Sequence, residues 1–130
     1  MNNSIIDLII RIKNGYLAKK EHIESPYSSF QEEVLKKLVS LGFVKEYQVE
    51  VQNQKTKQLK IELLYEAGAP TFTDVKIYST PGRRWYVSAK DLKPVLGGFG
   101  AAIVSTAKGV MTNSEAKKVN LGGELLFEIW

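Results

Sequence analysis

The chain of 130 residues contains no cysteine and a single histidine. Without cysteine there is no disulfide, no thiolate metal ligand and no thiol nucleophile. With His22 alone, a histidine metal cluster or a Ser-His-Asp triad lacks its parts. Long hydrophobic runs are missing too: none approaches the roughly 20 apolar residues that span a bilayer. Asp7 and Arg11 interrupt the apolar start and no small-residue cleavage site follows, so no membrane span or secretory leader is expected and the chain reads as cytoplasmic. The carboxylates are scattered, without the HExxH or DxDxDG spacing of metal sites. These gaps argue against a catalytic site, a resident metal and a cofactor.

What is present is a hydrophobic share of 44%, enough for a true core, and a net charge of +4 that is unevenly placed. Between Val75 and Asn120, Lys76, Arg83, Arg84, Lys90, Lys93, Lys108, Lys117 and Lys118 stand against Asp91 and Glu115, eight minus two, or +6. The remainder has ten basic and twelve acidic residues, or −2. Positive charge concentrated in the later part of the chain points to a polyanion on that side, as against a solvated basic face without a partner.

Pattern gives an α+β chain in two parts. Ser4 and Asp7 suit a capping box before Ile5, Ile9, Ile12 and Tyr16 at helical spacing, with Gly15 weakening the helix end. His22 to Glu24 suits a short strand that Pro26 ends. Ser28, Ser29 and Glu32 open a second helix with the stripe Phe30, Val34, Leu35, Leu38, Val39 and Leu41, closed by Gly42. Tyr47, Val49 and Val51 alternate, Gln52 to Gln58 form a loop, and Leu59, Ile61, Leu63 and Tyr65 alternate again. The first part, residues 1–66, is thus expected to be helices on a small β-sheet. Gly68 and Pro70 mark a boundary. Residues 72–130 are expected to be a mainly β domain with short helices: strands at Val75–Ile77, Trp85–Val87 and Ile103–Thr106, a turn or two of helix at Asp91–Leu96, and a turn at Lys108-Gly109 into Val110 and Met111. Thr112 and Glu115 form a second capping box, and Leu125, Phe127 and Ile129 alternate in a last strand.

Three segments carry potential chemistry. Gly97-Gly98-Phe99-Gly100 has glycines like those of a phosphate cradle, but fits neither the Walker pattern nor G-x-G-x-x-G, and a tight turn accounts for it equally. Pro81-Gly82-Arg83-Arg84-Trp85-Tyr86 sets two guanidiniums, which fork onto phosphate, beside two aromatics, which stack on bases; strand alternation sends one of Trp85 and Tyr86 inward, and leaves open which. Ser105-Thr106-Ala107-Lys108-Gly109 supplies hydroxyls for ribose and base edges, an ammonium for phosphate, and a glycine that admits close backbone approach. A Ser-Lys nucleophile is disfavoured, because nothing marks an oxyanion hole. A DNA reader is disfavoured too, because no basic helix sits in a helix-turn-helix pattern.

The chain resembles the bacterial-type ribosomal protein eight of the small subunit. Ser79, Pro81-Gly82-Arg83-Arg84 and Tyr86 carry the resemblance, with Val95-Leu96-Gly97-Gly98-Phe99-Gly100, Ser105-Thr106, Lys108-Gly109-Val110-Met111-Thr112, Glu115-Ala116 and Gly122-Gly123-Glu124-Leu125. Arg11-Ile12-Lys13-Asn14 and the helix before Gly42-Phe43 match more loosely. The resemblance implies a two-domain α+β protein that binds the central domain of small-subunit ribosomal RNA and helps assemble the platform. The family's RNA contacts would fall to Ser105, Thr106, Lys108, Gly109 and Tyr86; the chain's own charge adds Arg83, Arg84, Lys117 and Lys118 on phosphates. Glu124, with Gly122 and Gly123, would support the Ser105 loop. Implied neighbours are the fifth and twelfth small-subunit proteins, and an implied second role is repression of translation on its own messenger RNA. Departures are Ala107, where a hydroxyl or proline is usual, Asn113-Ser114 in place of an acidic-basic pair, and the absence of an Asp-Pro start to the first helix.

Overall fold

The computed structural model describes residues 3–130, which gather into two units: Asp7–Phe72, and Thr73–Trp130 with the opening turn of the first helix.

Helix α1 (Asn3–Leu17) forms because Ile5, Leu8, Ile9, Ile12 and Tyr16 return every three or four residues, and all five are buried. Ser4 is not its cap: it already lies inside the helix, and the capping position falls outside the described residues. Asp7 instead pairs with Arg11 one turn on, at 2.8 Å. The helix runs two residues past Gly15 before it ends. A Cβ at Gly15 would stand 2.5 Å from Ile23 Cγ2, so glycine lets α1 approach the first strand. Beside it the Tyr16 hydroxyl donates to Phe43 O at 2.6 Å and accepts from Leu64 N at 3.0 Å.

Strands β1 (His22–Pro26), β2 (Glu46–Val51) and β3 (Lys57–Glu62) make an antiparallel sheet ordered β1–β3–β2. Helix α2 (Ser29–Leu41) starts at Ser28, whose hydroxyl accepts from Gln31 N at 3.0 Å. It stops at Gly42, left-handed at φ 82°, with Phe43 N bonded back to Leu38 O. Leu59 and Ile61 of the central strand are buried. Their cross-strand partners Val49 and Tyr47 share that face, but β2 is an edge, and Val49 and Val51 stay exposed. The segment read as a boundary is itself a tight hairpin, β4 (Tyr65–Glu66) and β5 (Ala69–Pro70), turned by Ala67 and Gly68, both at positive φ.

Two tyrosines converge on one carboxylate here. Tyr27 and Tyr47 each donate to Glu32 at 2.8 Å. These bonds, that from Tyr47 foremost, hold the Glu32 carboxyl below its ordinary pKa, while burial and then Glu32 push Tyr47 up to about 12. A carboxyl with a lowered folded pKa stabilises the fold above its unfolded value, and that stability is lost as pH falls through the folded one. Denaturation of wild type and Glu32→Gln across a pH series is therefore expected to show a wild-type advantage near neutrality that shrinks as pH drops below the carboxylate range.

The second unit is built on a five-stranded antiparallel sheet. Strand β10 (Gly123–Ile129) is its axis: β8 (Ala101–Thr106) runs along one side, while β6 (Val75–Ile77) and β7 (Tyr86–Val87) share the other. β9 (Gly109–Thr112) adds to β8, and α3 (Asn113–Lys118) follows through the expected capping box of Thr112 and Glu115. Leu92, Val95, Ala102, Val104, Ala116 and Leu125 form a core between sheet and helix.

Three details differ from the sequence pattern. Alternation along β10 fails at Leu126, which is buried along with Leu125 and Phe127, because a β-bulge there inserts a residue. Asp91–Leu96 is not one helical segment: only its two ends lie in 3-10 turns, Ala89–Asp91 and Leu96–Gly98. Between them the chain runs extended, because Pro94 lacks an N–H and disfavours helix at Lys93. Finally, the β8–β9 turn is Ala107-Lys108, and Gly109, at φ 107°, already pairs with Thr106.

Candidate nucleic-acid interface

Spatial order β7–β10–β8–β9 lines up two cross-strand rows. One is Tyr86, Glu124, Ser105 and Val110; the next is Val87, Gly123, Thr106 and Gly109. Strands lie about 4.8 Å apart, so Tyr86 and Ser105, on either side of β10, stand roughly 10 Å from each other. Residues far apart in the chain thus meet at one end of the sheet.

The glycines between them make this possible. A Cβ at Gly123 would fall 2.1 Å from Ser105 O, and one at Gly122 would fall 2.4 Å from Val87 O. Either side chain would force the rows apart.

The hydroxyls of Ser105 and Thr106 differ. As neighbours on a strand they point to opposite faces. Thr106 Oγ1 donates to Gly109 O at 2.8 Å and accepts from Lys108 N at 3.1 Å, so its proton is spent on shaping the turn. Ser105 Oγ is half-buried and has no partner among the described residues, which leaves its donor and acceptors to a ligand.

The Arg83–Tyr86 segment resolves similarly. Tyr86 is 71% exposed and Trp85 39%. Tyr86 is the aromatic offered to solvent; Trp85 lies edge-on to Tyr78 and beneath the Arg83 guanidinium, 5.1 Å from its ring centre. Arg84 reaches Glu124 at 3.4 Å. The Glu124 carboxylate therefore tethers the arginine turn, while its backbone pairs with Ser105 across the sheet. The turn is anchored further by Ser79, fully buried, which donates to Leu125 O at 2.7 Å and accepts from Trp85 N at 3.0 Å.

Of the later cations, Lys108 and Lys118 are exposed, while the Lys117 ammonium donates to Leu92 O at 2.9 Å. Sequence reasoning also passed over Asn113. It is buried, accepts from Ala102 N at 3.2 Å and donates to Lys93 O at 2.8 Å. Nothing in the local pattern signals it, since both partners are remote in the chain.

The glycine segment 97–100 is no phosphate cradle. The N–H groups of Gly98 and Gly100 both bond Val95 O at 3.0 Å, and that of Phe99 bonds Leu96 O at 3.2 Å. Among the described residues no cluster of acidic or histidine side chains suits a metal, and no helix is long and apolar enough to cross a membrane. The arrangement offers hydrogen-bonding, stacking and cationic groups, but no nucleophile paired with a base.

Comparison with known proteins places the chain in a family. A family model described as ribosomal protein S8 matches residues 3–130. A small ribosomal subunit protein uS8 from Dictyoglomus thermophilum is 38% identical over 130 residues, covering 100% of this chain and 98% of its own length. Those of Mycoplasmopsis synoviae and Mesorhizobium japonicum are 38% and 40% identical, each over all of this chain and 98% of their own length.

Proposed function

Because the chain belongs to the ribosomal protein S8 family, and so is a structural, non-catalytic constituent of the small ribosomal subunit, we propose that it binds the central domain of small-subunit ribosomal RNA through the β7–β10–β8–β9 end of its second unit. The observation that carries this is the unengaged Ser105 hydroxyl set beside exposed Tyr86 and the Lys108 turn. Specificity comes from Ser105, from stacking on Tyr86 and from backbone groups at Ala107–Gly109; ribose hydroxyls and base edges are what such groups read. Thr106 acts one step back, by holding the turn. Arg83, Lys108 and Lys118 face phosphates. Arg84 does so from a position set by Glu124, and Lys117 while clamped to Leu92 O. Binding there leaves other faces for neighbouring subunit proteins, the fifth and twelfth. A messenger RNA folded into the same shape would occupy the same surface and be repressed.

The test is binding to a central-domain RNA fragment and to a scrambled fragment at two salt concentrations. A large preference that survives higher salt is expected. Ser105→Ala should weaken the specific complex by about 1–3 kcal/mol and leave the scrambled one unchanged. Lys118→Ala should weaken both alike and flatten the salt dependence. Equal losses on both RNAs for Ser105→Ala would remove that residue from the specificity assignment.

A further inference from the structure

The hairpin that joins β6 to β7 has two faces, and the rows of the candidate interface line only one of them. Side chains alternate along it. Arg84 and Tyr86 lie on the side of Glu124, while Arg83 and Trp85 lie on the other. On that other face four side chains make an unbroken ladder. The Arg83 guanidinium lies over the Trp85 ring at 5.1 Å, Trp85 meets Tyr78 edge-on at 5.6 Å, and the Lys76 ammonium lies over the Tyr78 ring at 4.9 Å.

The ladder is held from behind. Thr80 and Arg83 exchange two backbone hydrogen bonds, at 2.8 and 3.1 Å, which close the turn over Pro81-Gly82. Trp85 is fixed through its N–H by Ser79 and through its carbonyl by Leu125 N. Tyr78 packs on the core below. Trp85, Arg83 and Lys76 nonetheless stay exposed. Neither cation has an ion pair among the described residues. Glu128 stands across from Lys76 in the sheet, yet the ammonium lies over the Tyr78 ring instead. A guanidinium already laid on an indole loses little further freedom when a ligand arrives, so the face is pre-organised.

Two features decide the kind of partner. The ladder is cationic at both ends, so the partner carries negative charge; its middle is aromatic, so the partner carries planar groups. An unpaired nucleotide has both, because its base stacks on a guanidinium or an indole and its phosphate meets the ammonium. Bases inside a duplex are stacked on one another and closed to such a face. We propose that the ladder from Lys76 to Arg83 holds an unpaired stretch of RNA, separate from the element bound on the Tyr86 face. One base stacks on the Arg83–Trp85 pair and the backbone passes Lys76, while the N–H edge of Arg83 stays free for a phosphate. The protein then grips two RNA segments across the thickness of one hairpin. The class of partner rests on the RNA reading above; the place rests on the ladder itself.

The chain has two tryptophans, so Trp130→Phe leaves Trp85 as the sole indole reporter. Hexa-adenylate at low salt is expected to quench its fluorescence, with or without a saturating central-domain fragment on the other face. No quenching overturns the proposal. Equal quenching by hexaglutamate overturns it too, since charge alone would then suffice. Displacement of hexa-adenylate by the central-domain fragment would mean that both faces serve one element, and would overturn the second segment. In a further arm, anisotropy follows labelled hexa-adenylate on the full chain. Trp85→Leu should weaken it about tenfold, and Lys76→Ala several-fold, while both bind the central-domain fragment within about twofold of wild type. If Trp85→Leu also loses the fragment, it has disturbed the turn, and the exposed Lys76→Ala decides; unchanged hexa-adenylate binding by Lys76→Ala counts against the ladder. Failure of wild type to bind the central-domain fragment, with quenching by hexa-adenylate intact, would count against the Tyr86-face reading and leave the ladder standing, so the two failures are distinguishable.

Discussion

Gly123→Ala is expected to cost the protein about 3 kcal/mol or more, at the top of the range for overpacking a tight site. The added Cβ would lie 2.1 Å from Ser105 O, 2.9 Å from Ser105 C and 3.1 Å from Thr106 Cα. All three are backbone atoms of a central strand, and no rotamer change moves them. The only relief is to part β10 from β8, which breaks the pairs Gly123↔Thr106 and Glu124↔Ser105. RNA binding should fall with stability, because those pairs set the row from Tyr86 to Ser105. Gly82→Ala is the control: nothing lies within 4 Å of its Cβ position and its φ is not left-handed, so a change within about 0.5 kcal/mol is expected. Urea denaturation of the three proteins decides it, and a Gly123→Ala as stable as Gly82→Ala would mean the strands part without cost.

Asn113→Leu should be nearly as damaging, at about 2–4 kcal/mol. It keeps the volume but removes the bonds to Ala102 N and Lys93 O that Asn113 makes. Asn113→Asp keeps an acceptor for Ala102 N but sets a buried carboxylate against Lys93 O, so it should also destabilise at neutral pH and recover at low pH, where the protonated carboxyl can donate to Lys93 O again. Thermal melts rank the two. Amide exchange at Ala102 should quicken in the leucine variant and not in the aspartate one. If the aspartate variant is no more stable than the leucine one at low pH, the two hydrogen bonds of Asn113 carry little of the stability.

The α2 boundaries were legible because each signal lies within one turn of what it controls: Ser28 caps Gln31, and Gly42 reverses the chain so that Phe43 N meets Leu38 O. The capping box of Thr112 and Glu115 is local in the same way. Asp91–Leu96 was misread because its apolar spacing suits a helix while Pro94 forbids one, and a single missing N–H outweighs a weak pattern. The alternation in β10 was misread because a bulge shifts the register without leaving a mark in a single strand's sequence.

By itself, then, the sequence determined the α+β class, the principal helices and strands, the concentration of positive charge after Val75, and the family, since periodicity, caps and motif order are written within short stretches of chain. It also named the segments that meet at the candidate interface. Only the tertiary structure decided what each residue there is free to do. Arg84 finds Glu124 at 40 positions' remove, and Lys117 finds the carbonyl of Leu92 at 25. Tyr86 faces outward while Trp85 packs on Tyr78, and of two adjacent hydroxyls Thr106 is consumed by its own turn while Ser105 stays available. The physical reason is the same in each case: a side chain's availability depends on which distant backbone or charge the fold brings within about 3 Å of it, and that distance is not encoded in any local pattern.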